Sequence, residues 1–310
     1  MNTHNERNGL LLGLLGVVIF AATMPMTKLA VGSATAPQLS PWFVTFGRAA
    51  VAGVLSVLYL LAQHGRGRLR VPTGKEWALV AFTSGGIVVG FPLFMSLALL
   101  YVPSMHGAVV TGLLPLATAV VAALWFRQQP SMAFWGCAVQ GTLLVLGFML
   151  IRSADSTGHL SLHLADVFLL LAMGSAALGY IGGARLTPSL GAEQVICWVL
   201  VLSLPMTLPA MWLSAPPQAS AIAAASWWGF AYAAVFSMWL GFFAWYKGLA
   251  LGGAVRVSQV QLVQPFLSLL FAIPILGEKL DATTLGFGVA VIATVFVGKK
   301  MPVGVATGVK

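Results

Sequence analysis

Long apolar stretches alternate along this chain with short polar ones, and the apolar stretches fall at Gly9–Leu29, Trp42–Gln63, Trp77–Leu99, His106–Phe126, Ser131–Ile151, Leu164–Gly183, Glu193–Trp212, Trp227–Lys247, Val257–Leu276 and Thr283–Gly298. A hydrocarbon core about 30 Å thick is crossed by ~20 apolar residues in a helix. Backbone N–H and C=O groups in lipid find no water, so each stretch is predicted as a helix that pairs its own polar groups. The expected fold is an all-α integral membrane protein of ten transmembrane helices. The first stretch has no clear small-residue cleavage site before Lys28, and is read as a retained helix and not a secretory signal.

Composition sharpens this picture. Only 7% of the residues are charged and the mean hydropathy is +0.94, which excludes a water-soluble enzyme. The net charge of +9 raises the question of nucleic acid, but its arrangement answers it. Arg66, Arg68, Arg70 and Lys75 share one loop, Arg127 the next on the same side, then Arg185, Lys247 and Arg256. Positive charge is retained on the cytoplasmic side, so both termini are expected in the cytoplasm, in a multi-pass protein of the inner (plasma) membrane. The basic balance reports topology, with the lipid bilayer as partner and no nucleic acid. Cys137 and Cys197 both fall in apolar helices and are read as packing residues, since two lone thiols make neither a disulfide framework nor a metal site. No cofactor or metal is expected, and oligomeric state does not follow from the chain.

The polar stretch at residues 152–163 divides the sequence. Residues 1–151 and 164–300 are expected as two five-helix repeats, with 301–310 as a cytoplasmic tail. An odd number of spans per repeat places the two in opposite orientations, an architecture whose substrate site lies at the repeat interface. Pro115 and Gly136 have the same spacing as Pro265 and Gly286, and Gly90-Phe91 parallels Gly241-Phe242. Phe94 and Met95 then fall opposite Trp245 and Tyr246.

The segment WYKGLALGGAVRVSQVQLVQPFLSLLFAIPILGEKL (Trp245–Leu280) resembles the EamA branch of the drug/metabolite transporter superfamily. The resemblance rests on a Pro-bearing ninth helix ending in Gly277-Glu278, a Lys closing helix one (Lys28) and an Arg inside helix two (Arg48). It covers nearly the whole chain, with Arg127-Gln128 at the first repeat's Gly-Glu position. It implies a 5+5 inverted-topology repeat around a central cavity and export of amino acids or other small metabolites.

Several residues are candidates for the chemistry. Arg48 is the costliest residue, since a charge within a span costs roughly 2.5–3.5 kcal/mol on insertion scales. A cation facing a cavity would attract a substrate carboxylate. Less than two turns into its helix, Arg48 can equally snorkel to the helix end, and it is assigned here to a structural or gating role with Lys28, Pro25, Pro115, Pro265 and Glu278. Ser258, Gln261, Gln264 and Ser268 share one side of helix nine, where Pro265 frees a backbone carbonyl. Amides are expensive in lipid, so Gln261 and Gln264 are placed on a cavity. Trp239, Phe242 or Phe243, and Tyr246 on helix eight, with Phe91, Phe94 and Met95 on helix three, give an aromatic lining in the manner of small-molecule sites, and Phe243 is taken as the candidate of the pair. Thr23, Met24, Thr111 and Tyr180 join them as substrate-binding candidates. His106 joins them as a residue able to change charge near neutral pH, although a solvated helix-end position is the plainer reading of it.

These features favour a carrier of small amphipathic metabolites working by alternating access. An intramembrane enzyme would need a nucleophile with a base, or facing His and carboxylates, and the histidines lie almost entirely in loops. A channel or a lipid or hydrophobic-compound flippase on the same scaffold is the alternative, although rings of charge and a carbonyl filter are absent from the sequence.

Overall fold

The computed structural model describes residues 3–125, 129–157, 163–252, 260, 263–299 and 303–304. Among them the chain is helical apart from a two-residue antiparallel pairing of Gln129–Pro130 with Val303–Gly304. Helix α1 comprises Thr3–Ala21 and Thr23–Val31, and α2 is Pro41–Gly65. Helix α3 runs through Gly74–Ser84, a π-helical stretch at Gly85–Gly90, and Phe91–Tyr101. Helix α4 is Ser104–Thr111 followed by Leu114–Trp125, and α5 is Met132–Thr157. Then come α6 (Leu164–Leu190), α7 (Ala192–Leu213), and α8 through Ala224–Ala231, a π-helical Tyr232–Leu240 and Gly241–Gly252. Helices α9 (Gln264–Leu276) and α10 (Ala282–Lys299) close the chain.

Among the described residues 7 helices are long and apolar enough to cross a membrane, and α9 and α10 are shorter apolar helices. Helix α4 falls short because it breaks after Thr111. Helices α5 and α6 run past their sequence-predicted ends at Ile151 and Gly183, to Thr157 and Leu190. Their ends are set by local chemistry. Ser40 caps α2, its hydroxyl accepting from the Phe43 N–H at 3.1 Å, with Pro41 fitting the first turn without a donor to lose. Gly32 (φ 75°) and Gly277 (φ 67°) take the left-handed backbone that stops α1 and α9. Exposed apolar residues such as Leu58, Leu61 and Leu143 face outward. Trp42, Trp212 and Trp228 are half or more exposed near one set of helix ends, where indoles favour the membrane interface.

The irregularities carry the architecture. Pro25 has no N–H for the Ala21 carbonyl, and α1 breaks at Ala22. Ser268 of α9 supplies the missing donor, its hydroxyl 2.8 Å from the Ala21 oxygen. In α3 the π stretch directly precedes Pro92, the residue that cannot continue the ladder. Both π stretches end at the Gly-Phe pairs noted in the sequence, Gly90-Phe91 and Gly241-Phe242.

Helix contacts follow a two-fold pattern. Helix α1 packs on α8 and α6 on α3, α2 on α7, α5 on α10, and α4 on α9. Exchanging each helix of the first five with its counterpart in the second five returns the same set of pairs. The α3–α6 and α1–α8 interfaces are closed by glycine. A Cβ at Gly86 would lie 2.5 Å from the Ser175 oxygen and 3.0 Å from the Gly179 Cα. A Cβ at Gly248 would lie 2.6 Å from the Gly13 nitrogen and 2.9 Å from the Gly9 oxygen. Gly86 against Gly179, and Gly248 against Gly9 and Gly13, thus serve contact between helices of the same chain.

Candidate functional site

Two buried core clusters flank the middle of the bundle. One includes Met24, Leu99, Val109 and Leu169, the other Phe20, Ile87, Met238 and Phe242, and Tyr180 packs against both. Between them lies a central cavity in two adjoining compartments of about 40 and 30 Å³, which share Met24, Phe91, Tyr180 and Gln264 in their walls. Helices α1, α2, α3, α6, α8 and α9 wall the first compartment, and α4 joins α1, α3, α6 and α9 around the second.

Of the sequence candidates, Thr23, Met24, Phe91, Thr111, Tyr180 and Gln264 line this cavity, as does Pro265. Pro115 lies within the second part of α4. Gln261 lies outside the described residues, as does Ser258.

The remaining candidates are placed elsewhere. Met95 is 1% exposed within the first cluster. Phe94 stacks on Phe168 at 6.2 Å and faces a side groove of about 540 Å³ with Leu202 and Met206. Trp239 packs on Phe243 at 4.8 Å, and Phe243 on Tyr59 at 4.9 Å. Tyr246 is buried against Phe242, 5.5 Å between ring centroids. The correction on α8 has a physical origin. A π stretch closes its hydrogen bonds one residue later than an α-helix, and one residue is about 100° of helix rotation. The cavity therefore receives Ser237 and Met238 in place of Trp239; of the two adjacent phenylalanines it receives Phe242 and not Phe243, and it does not receive Tyr246. On α3 Ile87 lines the cavity with Phe91.

Arg48 is the second correction. It is 3% exposed and lines the first compartment, so it does not snorkel to a helix end. Its Nη2 donates to the Ser237 hydroxyl at 3.0 Å, and that oxygen lies 2.8 Å from Thr23 Oγ1. Among the described residues the buried Arg48 Nε has no hydrogen-bond partner, and neither has Gln264 Oε1. Among the described residues no carboxylate pairs with Arg48. The serine was legible only as a hydroxyl in an apolar helix, and its distance of 189 residues from Arg48 gave no local signal.

A larger cavity of about 730 Å³ opens where α3 meets α4, α5 meets α6 and α9 meets α10. Here His106 departs from the solvated reading. It is 6% exposed, its Nε2 2.8 Å from Asp166 Oδ1, and Asp166 is 1% exposed. Asp166 Oδ2 also accepts the His163 N–H at 3.1 Å. Glu278 reaches across from the α9–α10 loop, accepting the Ser104 N–H at 2.7 Å and the Met105 N–H at 2.9 Å. A carboxylate there satisfies two free donors and meets the positive end of α4. Lys28 donates to the Leu99 carbonyl at the end of α3. These polar groups satisfy one another and hold helix ends together. The unsatisfied groups of the central cavity make it the better candidate site, although the outer cavity is larger.

The EamA-like transporter family model matches the chain twice, over residues 7–153 and 163–298. The chain belongs to the EamA-like transporter family. It is also 40% identical over 296 residues to the uncharacterized transporter YdeK of Bacillus subtilis (strain 168), a match covering 94% of this chain and 97% of that one. A protein solved by crystallography superposes with a TM-score of 0.62 at 17% identity, over 94% of this chain and 96% of the other, a likeness that concerns the fold. As an EamA protein the chain is a multi-pass membrane transporter.

Proposed function

We propose that this EamA protein is a secondary transporter that exports small amphipathic metabolites, such as amino acids, by alternating access. The observation that carries the reading is the central cavity, walled by helices of both halves and holding unpaired polar atoms among Phe20, Phe91 and Phe242. Small-molecule sites combine such an apolar wall with a few convergent polar groups, and inverted-repeat carriers place them at the repeat interface. We take residues 1–151 and 164–300 as the repeats, with both termini cytoplasmic because Arg66, Arg68, Arg70 and Lys75 share their side.

Each compartment has about the volume of one water molecule, so a metabolite enters only when the helices part. Pro25, Pro92 and the two π stretches interrupt the ladders of α1, α3 and α8 around the cavity, where bending costs least. Helix pairs α1–α8 and α3–α6 then move as packed units.

The test is counterflow: proteoliposomes preloaded with unlabelled metabolites, presented with labelled amino acids. Saturable, transient accumulation is expected, and a Gln264→Ala substitution should weaken it. Correctly inserted protein that accumulates no labelled amino acid would sink the amino-acid reading and favour lipids or bulkier amphiphiles.

A further inference from the structure

We infer that the central cavity binds its solute through a carboxylate, with Arg48 as the anion-binding group and Gln264 as the acceptor for a second, donor-bearing group. This deepens the transporter reading and rests on it for the passage of the solute, but not for the binding.

The inference begins from the electrostatics of burial. A charge removed from water is retained only with compensation. The other buried or half-buried charges described above have it: Asp166 with His106 and a backbone N–H, Glu278 with two backbone N–H groups, Lys28 with a helix-terminal carbonyl. Arg48 has one neutral hydroxyl, that of Ser237. Its Nε–H points to no acceptor at 3% exposure. A guanidinium carries five N–H donors in a planar fork that matches a carboxylate, and here most of that fork is unspent.

The positioning is specific. Ser237, bonded to Thr23, holds Arg48 at the cavity wall that all three line, tying α2 to α8 and α1. Gln264 lines the same cavity, and its Oε1 is an acceptor without a donor among the described residues. A carboxylate for Arg48 and an ammonium or hydroxyl for Gln264 complete both groups. Met24, Met238 and Phe242 meet an apolar side chain. The chemical class is a monocarboxylate bearing a neighbouring donor and an apolar body, of which neutral α-amino acids are the plainest members.

The test compares purified detergent-solubilised protein with leucine, leucinamide, phenylpropionate, phenylpropionamide, inorganic phosphate and chloride, reading the shift in melting temperature and the apparent Kd. Leucine and phenylpropionate should stabilise the wild type, and the uncharged phenylpropionamide and cationic leucinamide should not. Arg48→Gln should weaken the acids by between about ten- and a hundred-fold, the range expected for hydrogen bonds to a charged group, while Arg48→Lys should retain part of the affinity. Equal shifts from acid and amide in the wild type would overturn the inference even if Arg48→Gln failed to fold. Acid binding that survives Arg48→Gln would overturn it too, as would phosphate or chloride binding in place of the carboxylates. Counterflow separates the two readings. Acid-selective binding without flux leaves the site and removes the carrier, whereas saturable flux indifferent to Arg48→Gln leaves the carrier and removes the site.

Discussion

Adding a single methyl group at Gly86 or Gly248 should weaken the bundle, and by similar amounts. Carbon atoms pack at about 3.5–4.0 Å. The new Cβ at position 86 would stand 2.5 Å from the Ser175 carbonyl oxygen, and at position 248 it would stand 2.6 Å from the Gly13 nitrogen. The obstructing atoms are backbone, so no side chain can swing away, and the helices must separate by about 1 Å. Overpacking of this kind costs ~1–3 kcal/mol, against a helix-propensity gain of roughly 0.5–1 kcal/mol for alanine over glycine. The net loss should be about 1–2 kcal/mol on these figures. Gly136, Gly174 and Gly286 are the controls, because a Cβ there meets nothing within 4 Å. Thermal unfolding of the purified protein in a mild detergent, followed by size-exclusion of the surviving monodisperse fraction, reads the difference. Gly86→Ala and Gly248→Ala should melt several degrees below Gly174→Ala. If all the alanine variants melt together, close backbone approach is not what holds α3 to α6 and α1 to α8. Should only one of the two fall, the two-fold pattern of contacts does not extend to their energetics.

Three further outcomes follow from named contacts. Ser268→Ala should cost about 1 kcal/mol in the wild type, and markedly less in a Pro25→Ala background, where residue 25 regains an N–H for the Ala21 carbonyl; equal costs in both backgrounds would refute the compensation. Glu278→Ala should lose about 1–2 kcal/mol and speed amide exchange in the first turn of α4, with Glu278→Gln intermediate, and unchanged protection at Ser104 and Met105 would show the cap to be dispensable. A double-mutant cycle of His106→Gln with Asp166→Asn should give a coupling of at least about 1 kcal/mol in thermal stability, and strictly additive losses would mean that the buried contact contributes nothing.

The bundle was legible in the sequence because lipid imposes one simple demand, that apolar length and internal backbone pairing coincide. It was least legible where helices are interrupted. Helix α4 breaks after Thr111 and resumes at Leu114, so neither part satisfies a length rule. Cavity residues marked by a local polar or proline signal were found: Thr23 and Met24 beside Pro25, and Gln264 beside Pro265. On α8 Met238 took the place of Trp239, and of the adjacent Phe242 and Phe243 it was Phe242 that reached the cavity, since a 3.6-residue period does not survive a π stretch. The partners of Arg48 and His106 were out of reach for another reason: Ser237 and Asp166 lie 189 and 60 residues away, and only tertiary packing brings them together.

The scaffold is two-fold in its contacts, but the chemistry is not. The 150-residue separation that relates Pro115 to Pro265 and Gly136 to Gly286 sets Trp198 opposite Arg48, and the 151-residue separation that relates Gly90-Phe91 to Gly241-Phe242 sets Gly86 opposite Ser237. The guanidinium and the hydroxyl that holds it therefore have apolar counterparts in the other half. In the alternating-access mechanism proposed above, the symmetric contacts of α1 with α8 and α3 with α6 would relate the two arrangements of the bundle. An asymmetric cavity fixes the orientation of the solute in both of them, because a carboxylate has one charged partner and not two. The insertion cost of Arg48, roughly 2.5–3.5 kcal/mol, is thus borne once, in the half where α2 meets α8, and a second buried cation by the same cavity would oppose the first without adding specificity.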